Sequence, residues 1–258
     1  MSKTAGGGLI WARPEPGSRR PRFSREQIAA TALGIADAEG FEAVSMRRVA
    51  ADLGAGTMTL YNYVRTKDEL VALMHDAIMG EVLVPEGELP TGWRGALTVI
   101  ARRARAVMMR HPWAPASLQE AQFGPNAMRR FEQYLAAVAD AGLDAAATFE
   151  VLTIINSYIF GNALLTAESR KRARIAGADP QAAAEMVEYG TALLASGEFP
   201  RMAAMFANAG AGAAGQEGDE TPAGPPLEDQ NLEEQFERGL QALLDGLASR
   251  MKLPDPPG

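Results

Sequence analysis

Apolar residues recur at helical spacing along most of the chain, and no stretch shows the strict alternation of a strand. In residues 24–39, Ile28, Ala32 and Ile35 fall on one helical face, and Gly40 follows where a helix would end. The same signals predict further helices, whose approximate ranges are 45–53, 57–64, 66–82, 93–111, 125–138, 145–172, 180–195, 198–206 and 231–250. We therefore predict an all-α fold.

Paired polar residues mark where two of these helices begin. Ser24 precedes Gln27 by three residues, and Thr66 precedes Glu69 by the same interval. This is the spacing of a capping box, in which each side chain bonds the backbone N–H of the other residue. We predict a complete box at both helices.

Three segments without helical periodicity divide the chain. Residues 1–23 combine glycines, prolines and five basic residues, which predicts a flexible basic arm that adds nothing to the core. The Pro/Gly-rich segment 85–92 separates a helical domain at 24–82 from a larger one at 83–258. Residues 207–229 are rich in Gly, Ala, Pro and acidic residues, which predicts a disordered linker.

Residues 45–67 have the pattern of a helix-turn-helix. A first helix ends at the turn Gly54-Ala55-Gly56, and a short polar helix follows it. Glycine suits this turn because one position needs a positive φ. The outward side chains of the second helix are short or planar hydrogen-bonding groups that suit base edges and phosphates: Thr57, Thr59, Asn62 and Tyr63. Residues at helix N-termini, where the helix dipole favours anions, suit phosphates alone: Ser45, Arg47, Arg48 and Lys67.

Charge is distributed unevenly along the chain. The formal net charge is −7, yet residues 1–67 contain ten Lys or Arg against six Asp or Glu, and the remainder contains 15 against 26. A basic N-terminal region on an acidic protein favours contact with a polyanion. We therefore predict that three arginines of the arm enter a DNA minor groove: Arg19, Arg20 and Arg22. The alternatives are a solubilising tail for the arm and a solvated helix face for Arg47 and Arg48.

Composition excludes several kinds of site. The chain has no Cys, which removes disulfides and thiolate metal ligands, and its two His are far apart in sequence. We expect no metal, no cofactor and a reducing, cytoplasmic location. The apolar stretch 149–167 nears the length of a membrane span, but Glu150, Asn156 and Asn162 within it are costly in lipid. We predict a buried helix there and no membrane partner.

The helix-turn-helix region resembles the DNA-binding domain of the TetR family of one-component transcriptional repressors. The resemblance runs from Ser24 to about Leu73 and is strongest in 44-VSMRRVAADLG-54 and 59-TLYNYVRTKDEL-70. It implies a helical ligand-binding and dimerising domain after residue 82. It also implies that Lys67 meets the DNA backbone and that six residues face the operator: Thr57, Met58, Thr59, Tyr61, Asn62 and Tyr63. The family usually has Ser or Thr where this chain has Gly56, so one hydroxyl that could touch phosphate is missing.

Within that family, the chain is similar to the tetracycline-repressor-like and actinobacterial antibiotic-efflux branch. The similarity rests on the arginine-bearing N-terminal extension and on His111-Pro112-Trp113 after the fifth helix. It implies a small hydrophobic or aromatic inducer, with an antibiotic among the candidates, and control of an efflux gene.

Aromatic, Met and amide residues of the larger domain are candidates for lining a ligand pocket. For any single Met or aromatic residue at helical spacing, a place in the core is the better prediction. The amides are more informative, because an amide inside an apolar helix needs a ligand, a second subunit or a neighbouring backbone as partner. The candidates are Met108, Trp113, Phe123, Met128, Phe131, Phe149, Asn156, Tyr158, Phe160 and Asn162.

Two functions of different class fit the sequence. The first is a homodimeric, ligand-released repressor, because one short recognition helix reads few base pairs and two half-sites are needed. Helix 66–82 is expected to be the only rigid link between its domains, and helices 145–172 and 231–250 to form its dimer interface. The apolar stripe predicted on the latter is Leu232, Phe236, Leu243 and Leu247. The alternative is a helical small-molecule-binding enzyme or carrier, against which the sequence shows no nucleophile–base set, phosphate loop or metal cluster.

Overall fold

A computed structural model describes residues 9–15, 23–117, 124–213 and 229–254. Every regular element in these ranges is helical, which confirms the all-α fold. The helices are α1 (Arg25–Glu39), α2 (Met46–Asp52), α3 (Thr57–Tyr61), α4 (Lys67–Val82), α5 (Trp93–Arg110), α6 (Ala114–Ser117), α7 (Pro125–Ala137), α8 (Ala145–Ala178), α9 (Pro180–Ala195), α10 (Pro200–Ala213) and α11 (Asp229–Met251). Short 3-10 turns lie at Ile10–Ala12, Phe41–Ala43 and Ala139–Ala141.

The chain divides into two compact units, Met1–Leu164 with Gly239–Gly258, and Leu165–Arg238. The first unit contains a continuous apolar core, to which α1, α3, α4, α5, α7 and α8 contribute fully buried side chains: Ile28, Leu60, Leu70, Met74, Leu97, Tyr134 and Ile155. In the second unit, no residue of α9 is buried. Several large apolar side chains of this unit are exposed: Ile175, Met186, Val187, Tyr189, Met202 and Met205.

Two helix N-termini test the predicted capping boxes. At α1 the box is complete, because Ser24 and Gln27 each bond the backbone N–H of the other. At α4 it is half made: the Thr66 hydroxyl accepts from the Glu69 N–H at 3.1 Å. The Glu69 carboxylate instead accepts from the Arg65 N–H at 2.7 Å and from the guanidinium of Arg13. The prediction of a second complete box is therefore wrong, because an arginine from the N-terminal segment competes for that carboxylate.

The described part of the N-terminal segment is folded. Ile10 is fully buried, and Arg13 makes a bidentate ion pair with Glu69 at 2.9 and 2.8 Å. Arg25 of α1 donates to the backbone oxygens of Ile10 and Arg13, each at 2.8 Å. We call Leu9–Glu15 the docked segment, since it packs and bonds against α1 and α4.

This packing corrects the prediction of a flexible arm for residues 9–15. The sequence does not reveal this packing, because one buried Ile and one paired Arg among Gly and Pro leave no periodic pattern. Arg19, Arg20 and Arg22 lie outside the described residues, but the chain is held on both sides of them. Glu15 accepts from the Arg25 N–H at 3.2 Å, and Ser24 caps α1.

The later helices extend beyond their predicted ends. α8 continues to Ala178, and α10 continues to Ala213, so 207–213 are helical and the linker prediction is wrong for them. Alanine, the strongest helix former, is frequent in that stretch and explains the difference. Residues 214–228 lie outside the described residues. On α11, Leu243 is only half-buried, and Leu240 and Leu244 are buried instead.

α8 is long and apolar enough to cross a membrane by length and composition, as the core helix of a soluble protein also can be. Only 33% of its most apolar window is buried, so the helix predicted to be buried is only partly so. One side packs into the core through Val151, Ile155 and Ile159. Another side, which includes Phe149 and Leu164, is exposed.

Candidate nucleic-acid interface and ligand site

The helix-turn-helix is formed by α2 and α3. Gly54 takes φ 62°, a conformation that favours glycine. Val49 and Leu60 are fully buried and give the motif its small core. α3 ends at Tyr61 rather than near Val64, and Tyr63 and Val64 beyond it are buried.

The outer side of the motif carries several of the predicted DNA-contacting residues. On α3, Met58 is 78% exposed and Tyr61 is 40% exposed. Ser45, Arg47 and Asn62 are also exposed, whereas Thr57 and Thr59 are half-buried. The Gly56 N-cap makes no side-chain hydrogen bond, as its lack of a side chain requires.

Tyr63 does not belong to this exposed set. Its side chain is only 5% exposed, and its ring packs edge-on against Phe23 with a centroid distance of 6.5 Å. Its backbone oxygen accepts from Arg25 Nε at 3.4 Å. The structure thus assigns Tyr63 to the core, which corrects its predicted place facing the operator.

The basic residues around the motif differ in what holds them. Arg48 pairs with Glu39 at 2.6 Å and with Asp52 at 3.3 Å, and all three side chains are partly solvated. Arg47 has no ion pair within the described residues. Lys67 lies 5.5 Å from the centre of the Phe41 ring. Exposed ion pairs contribute about 0–1 kcal/mol, so Arg48 can exchange its carboxylates for a phosphate at small cost.

The turn between α5 and α6 contacts the DNA-binding region directly. His111 Nδ1 lies 2.8 Å from an Asp37 carboxylate oxygen on α1, and the Trp113 indole N–H donates to the same carboxylate at 2.8 Å. The Trp113 ring stacks on Phe41 at 5.2 Å. On its other side, His111 Nε2 lies 3.3 Å from Glu81 of α4.

These contacts correct two predictions. Trp113 packs against α1 and the Phe41–Ala43 turn rather than among the ligand-domain helices. α4 is also not the only rigid link, because the α5–α6 turn reaches α1 as well. The His-Pro-Trp motif is evident in the sequence, but Asp37 lies 74 residues before His111. No local pattern therefore indicates that the two side chains pair.

The predicted ligand residues do not form one cluster. Met108 is a core residue that is 1% exposed, and Met128 and Phe149 are more than half exposed. Phe131 and Phe149 pair with each other, their ring centres 5.6 Å apart. Tyr158 packs its hydroxyl so closely against Gly239 that a Cβ there would force a neighbouring group to shift. Phe123 lies outside the described residues.

Two of the candidates, Asn156 and Phe160, belong to a polar network around Arg130 inside the first unit, and Asn162 bonds another arginine. Asn156 Oδ1 accepts from Arg130 Nη2 at 2.5 Å and from the Tyr134 hydroxyl at 3.1 Å. The Arg130 guanidinium lies 5.9 Å from the centre of the Phe160 ring. Asn162 accepts from Arg105 Nε at 2.9 Å. Both amides therefore find their partners within the chain, on arginines that sequence analysis did not single out.

Tyr134 is the most buried polar member of this network, at 1% exposed. Burial raises its pKa, although the nearby Arg130 charge opposes the shift. Its hydroxyl therefore stays protonated and donates to Asn156 while it accepts from Arg130 at 2.8 Å. The four-residue spacing of Arg130 and Tyr134 along α7 was the one sequence signal for their contact. Arg129 and Arg130 together, however, resemble the charged face of a solvated helix.

A short exposed helix on a glycine turn, joined to a helical domain with an interior polar network, defines a helix-turn-helix DNA-binding regulator. The chain belongs to the TetR family. Residues 28–74 match the model of the bacterial regulatory proteins of the tetR family, and residues 86–251 match the tetracyclin repressor-like C-terminal domain.

Named relatives support this assignment. The HTH-type transcriptional repressor DrrR1 of Streptomyces coeruleorubidus is 35% identical over 247 residues, which cover 93% of this chain and 83% of the relative. An HTH-type transcriptional regulator of Saccharopolyspora erythraea is 30% identical over 244 residues, which cover 94% of this chain and 92% of the relative. The crystal structure of the Streptomyces coelicolor protein ActR in complex with actinorhodin has a TM-score of 0.65 and 26% identity, covering 88% of this chain and 96% of ActR.

Family membership decides between the two functions that fit the sequence. The protein is a transcriptional regulator, and the prediction that it is not an enzyme is confirmed by its domains and relatives. Regulators of this family bind operator DNA and small molecules and act as dimers.

Proposed function

We propose that this protein is a homodimeric repressor that binds its operator through α2 and α3 and leaves it when a small hydrophobic or aromatic molecule binds. The exposed surface of the short α3, with Met58, Tyr61 and Asn62 presented on a preformed turn, is the observation that carries the proposal. Arg47 and Lys67 would contact phosphates on either side of it. The protein would act in the cytoplasm, without a membrane partner.

DNA binding is tested by fluorescence anisotropy with the duplex upstream of the protein's own gene and with a scrambled duplex. Lys67→Ala should weaken binding to both and lower the salt slope by about one. Asn62→Ala should cost on the order of 1–3 kcal/mol on the specific duplex alone. Equal losses on both duplexes for both variants would contradict the assignment.

Glycines on exposed helix faces support a dimer built from α8 and α11. Gly161 and Gly246 lie inside these helices, and a Cβ at either one would meet nothing within 4 Å in the chain. Each costs about 1 kcal/mol of helix stability relative to Ala. Close approach of a second copy's helix would compensate for that cost, because glycine lets backbones come together.

Sedimentation of the full chain tests this interface. Gly246→Leu should shift the protein from dimer toward monomer at micromolar concentration, since a Leu side chain would hold the two helices apart. Gly34→Leu on α1 is the matched control, because Gly34 is also an exposed helix residue with open space around it. An unchanged dimer in Gly246→Leu would remove α11 from the interface.

Release would act through both connections to the DNA-binding region. A ligand that shifts α5 would move His111 and Trp113, which hold Asp37 and Phe41. α4, which follows α3 directly, would carry the motion to the helix-turn-helix. ActR, a similar protein, has been solved in complex with actinorhodin, and this supports a small-molecule inducer. We propose further that the inducer is an antibiotic and that the regulated gene encodes an efflux protein. By linkage, saturating operator must weaken inducer binding by the same factor that inducer weakens operator binding. Equal inducer affinity with and without operator would leave a constitutive DNA binder.

A further inference from the structure

Arg130 carries a positive charge that the described part of the chain does not neutralise. Its Nη2 group donates to Asn156 and to Tyr134, both uncharged acceptors. No carboxylate of the described residues lies within 4 Å of it, and the Nε nitrogen is shielded from solvent without a hydrogen-bond partner. Other arginines of the same domain do have carboxylate partners, as Arg94 has Asp245 at 2.8 Å and Arg110 has Glu81 at 2.5 Å.

The surroundings of Arg130 define where a partner could approach. The Tyr134 ring centre lies 4.9 Å from its guanidinium carbon, and the Phe160 ring centre lies 5.9 Å from it. Rings over a guanidinium stabilise the cation but accept none of its in-plane N–H groups. An acceptor for the unused N–H donors would have to lie in the plane of the guanidinium, beside these two rings.

We propose that the inducer is an aromatic acid whose carboxylate binds the guanidinium of Arg130. A carboxylate satisfies in-plane N–H donors with two oxygens and neutralises the charge, and charge-assisted bonds of this type are short and strong. An apolar ring attached to that carboxylate would contact Phe160 and Tyr134, whose rings lie next to the guanidinium. This assignment rests on the proposed function, since it names the ligand class of the inducer site.

A neutral ligand is the principal competing explanation. A carbonyl group would also accept from the Nε–H, but it would leave the positive charge without a counter-ion in a part-buried position. The two explanations differ in one measurable quantity, which is the preference for a carboxylate over an uncharged amide of the same shape.

The experiment uses the full chain with 2-naphthoate and 2-naphthamide as probes, and isothermal titration calorimetry as readout. The unmodified protein should bind 2-naphthoate at least about tenfold more tightly than 2-naphthamide, as expected for a desolvated charge-assisted pair. Arg130→Gln should abolish this preference, and Arg130→Lys should retain part of it, because Lys keeps the charge without the planar donors. Arg129→Gln is the matched control: Arg129 is adjacent on α7, exposed, and bonds Asn126 at 2.6 Å, so its loss should leave the preference intact.

The outcomes separate this proposal from the repressor function. Equal affinity for the two probes, no binding of 2-naphthoate up to about 5 mM, or an unchanged preference in Arg130→Gln would each overturn the aromatic-acid site. If Arg130→Gln fails to fold by circular dichroism, the comparison of Arg130→Lys with Arg129→Gln decides, since a full preference in both would overturn the assignment. Operator anisotropy on the same samples tests the repressor function independently. If the protein binds its operator but shows no preference for the carboxylate, only the aromatic-acid site is overturned and the repressor function stands.

Discussion

Two arginines of the first unit, the buried Arg25 and the half-buried Arg130, illustrate opposite ways of holding a charge inside a protein. Arg25 is 8% exposed, and its guanidinium bonds three backbone oxygens of the docked segment and of Tyr63. Burial lowers the pKa of Arg25 and the nearby Arg13 charge adds to this, but Glu15 and Glu69 oppose the shift. Around Arg130, by contrast, the partners are neutral and one N–H is left without an acceptor.

The difference separates stability from binding. The guanidinium of Arg25 bonds residues that are at least 12 positions away in sequence, so the charge holds the docked segment onto α1. Arg130 bonds only to α7 and α8, and it retains donors for another molecule. A polar group that is satisfied within the chain contributes to folding, whereas an unsatisfied one is a cost that a ligand can remove.

The largest expected effect comes from removing the docked segment. A chain that begins at residue 16 loses the burial of Ile10, the Arg13–Glu69 pair and two acceptors of Arg25. We expect its free energy of unfolding to fall by on the order of 4–6 kcal/mol. Urea denaturation measures this, and a chain that begins at residue 9 keeps all of these contacts and is the control. Equal stability of both truncated chains would show that the segment is not anchored.

A smaller loss is expected when only the ion pair is broken. Arg13→Met removes both bonds to Glu69, whose side chain is 10% exposed. Burial raises the pKa of Glu69, but bonds from Arg13 and Arg65 outweigh this and lower it overall. The variant should lose about 2–3 kcal/mol of stability at pH 7. Combining it with Glu69→Gln should recover part of the loss, and strictly additive losses would argue against a direct pair.

The sequence predicted the elements that local patterns specify. Ser24 and Gln27 gave a complete cap, and Gly54 lies in the turn with the positive φ that the motif requires. Prediction from the sequence failed where the partner is distant along the chain. Arg13 bonds Glu69, 56 residues away, and Asp37 accepts a hydrogen bond from Trp113, 76 residues away. Spacing rules describe neighbours on one helix, and they contain no information on such pairs.

The candidate site shows the same limit. Exposure of Asn62 agrees with its predicted outward position, and exposure of Met58 and Tyr61 agrees with the operator-facing positions that the family resemblance implies. Tyr63 departs from them because the chain leaves the helix after Tyr61 and turns the ring inward. Arg130 could not be distinguished from Arg129 by sequence, since only tertiary packing places one among aromatic rings and the other in solvent.

His75 extends the comparison to a buried side chain that is neutral. It is 1% exposed, its Nε2 lies 2.9 Å from the Ser117 hydroxyl, and its Nδ1 has no partner. Burial lowers the pKa of His75 from 6.5 to about 4. As the pH falls below 6.5, His75 becomes protonated in the unfolded chain but stays neutral in the folded chain. The free energy of unfolding therefore decreases until the pH reaches about 4. At pH 5 this amounts to about 2 kcal/mol relative to pH 7. Urea midpoints at both pH values should show a smaller decrease for His75→Gln, and an equal decrease would mean that His75 becomes protonated in the folded protein.

The smallest expected effect is the most informative for Arg130. If its charge is held for a ligand, Arg130→Met in the ligand-free protein removes an uncompensated cation together with two bonds to neutral acceptors, and these contributions oppose each other. We expect a change in the free energy of unfolding of less than about 1 kcal/mol in either direction. A structural arginine like Arg13 would lose 2 kcal/mol or more on the same substitution, so the two Met variants form a matched pair. With about 5 mM 2-naphthoate present, the unmodified protein should gain stability by mass action and Arg130→Met should not. A large loss of stability in ligand-free Arg130→Met, together with the same stability gain as the unmodified protein on adding 2-naphthoate, would contradict the proposal. Arg130 would then be a structural residue that does not bind the acid.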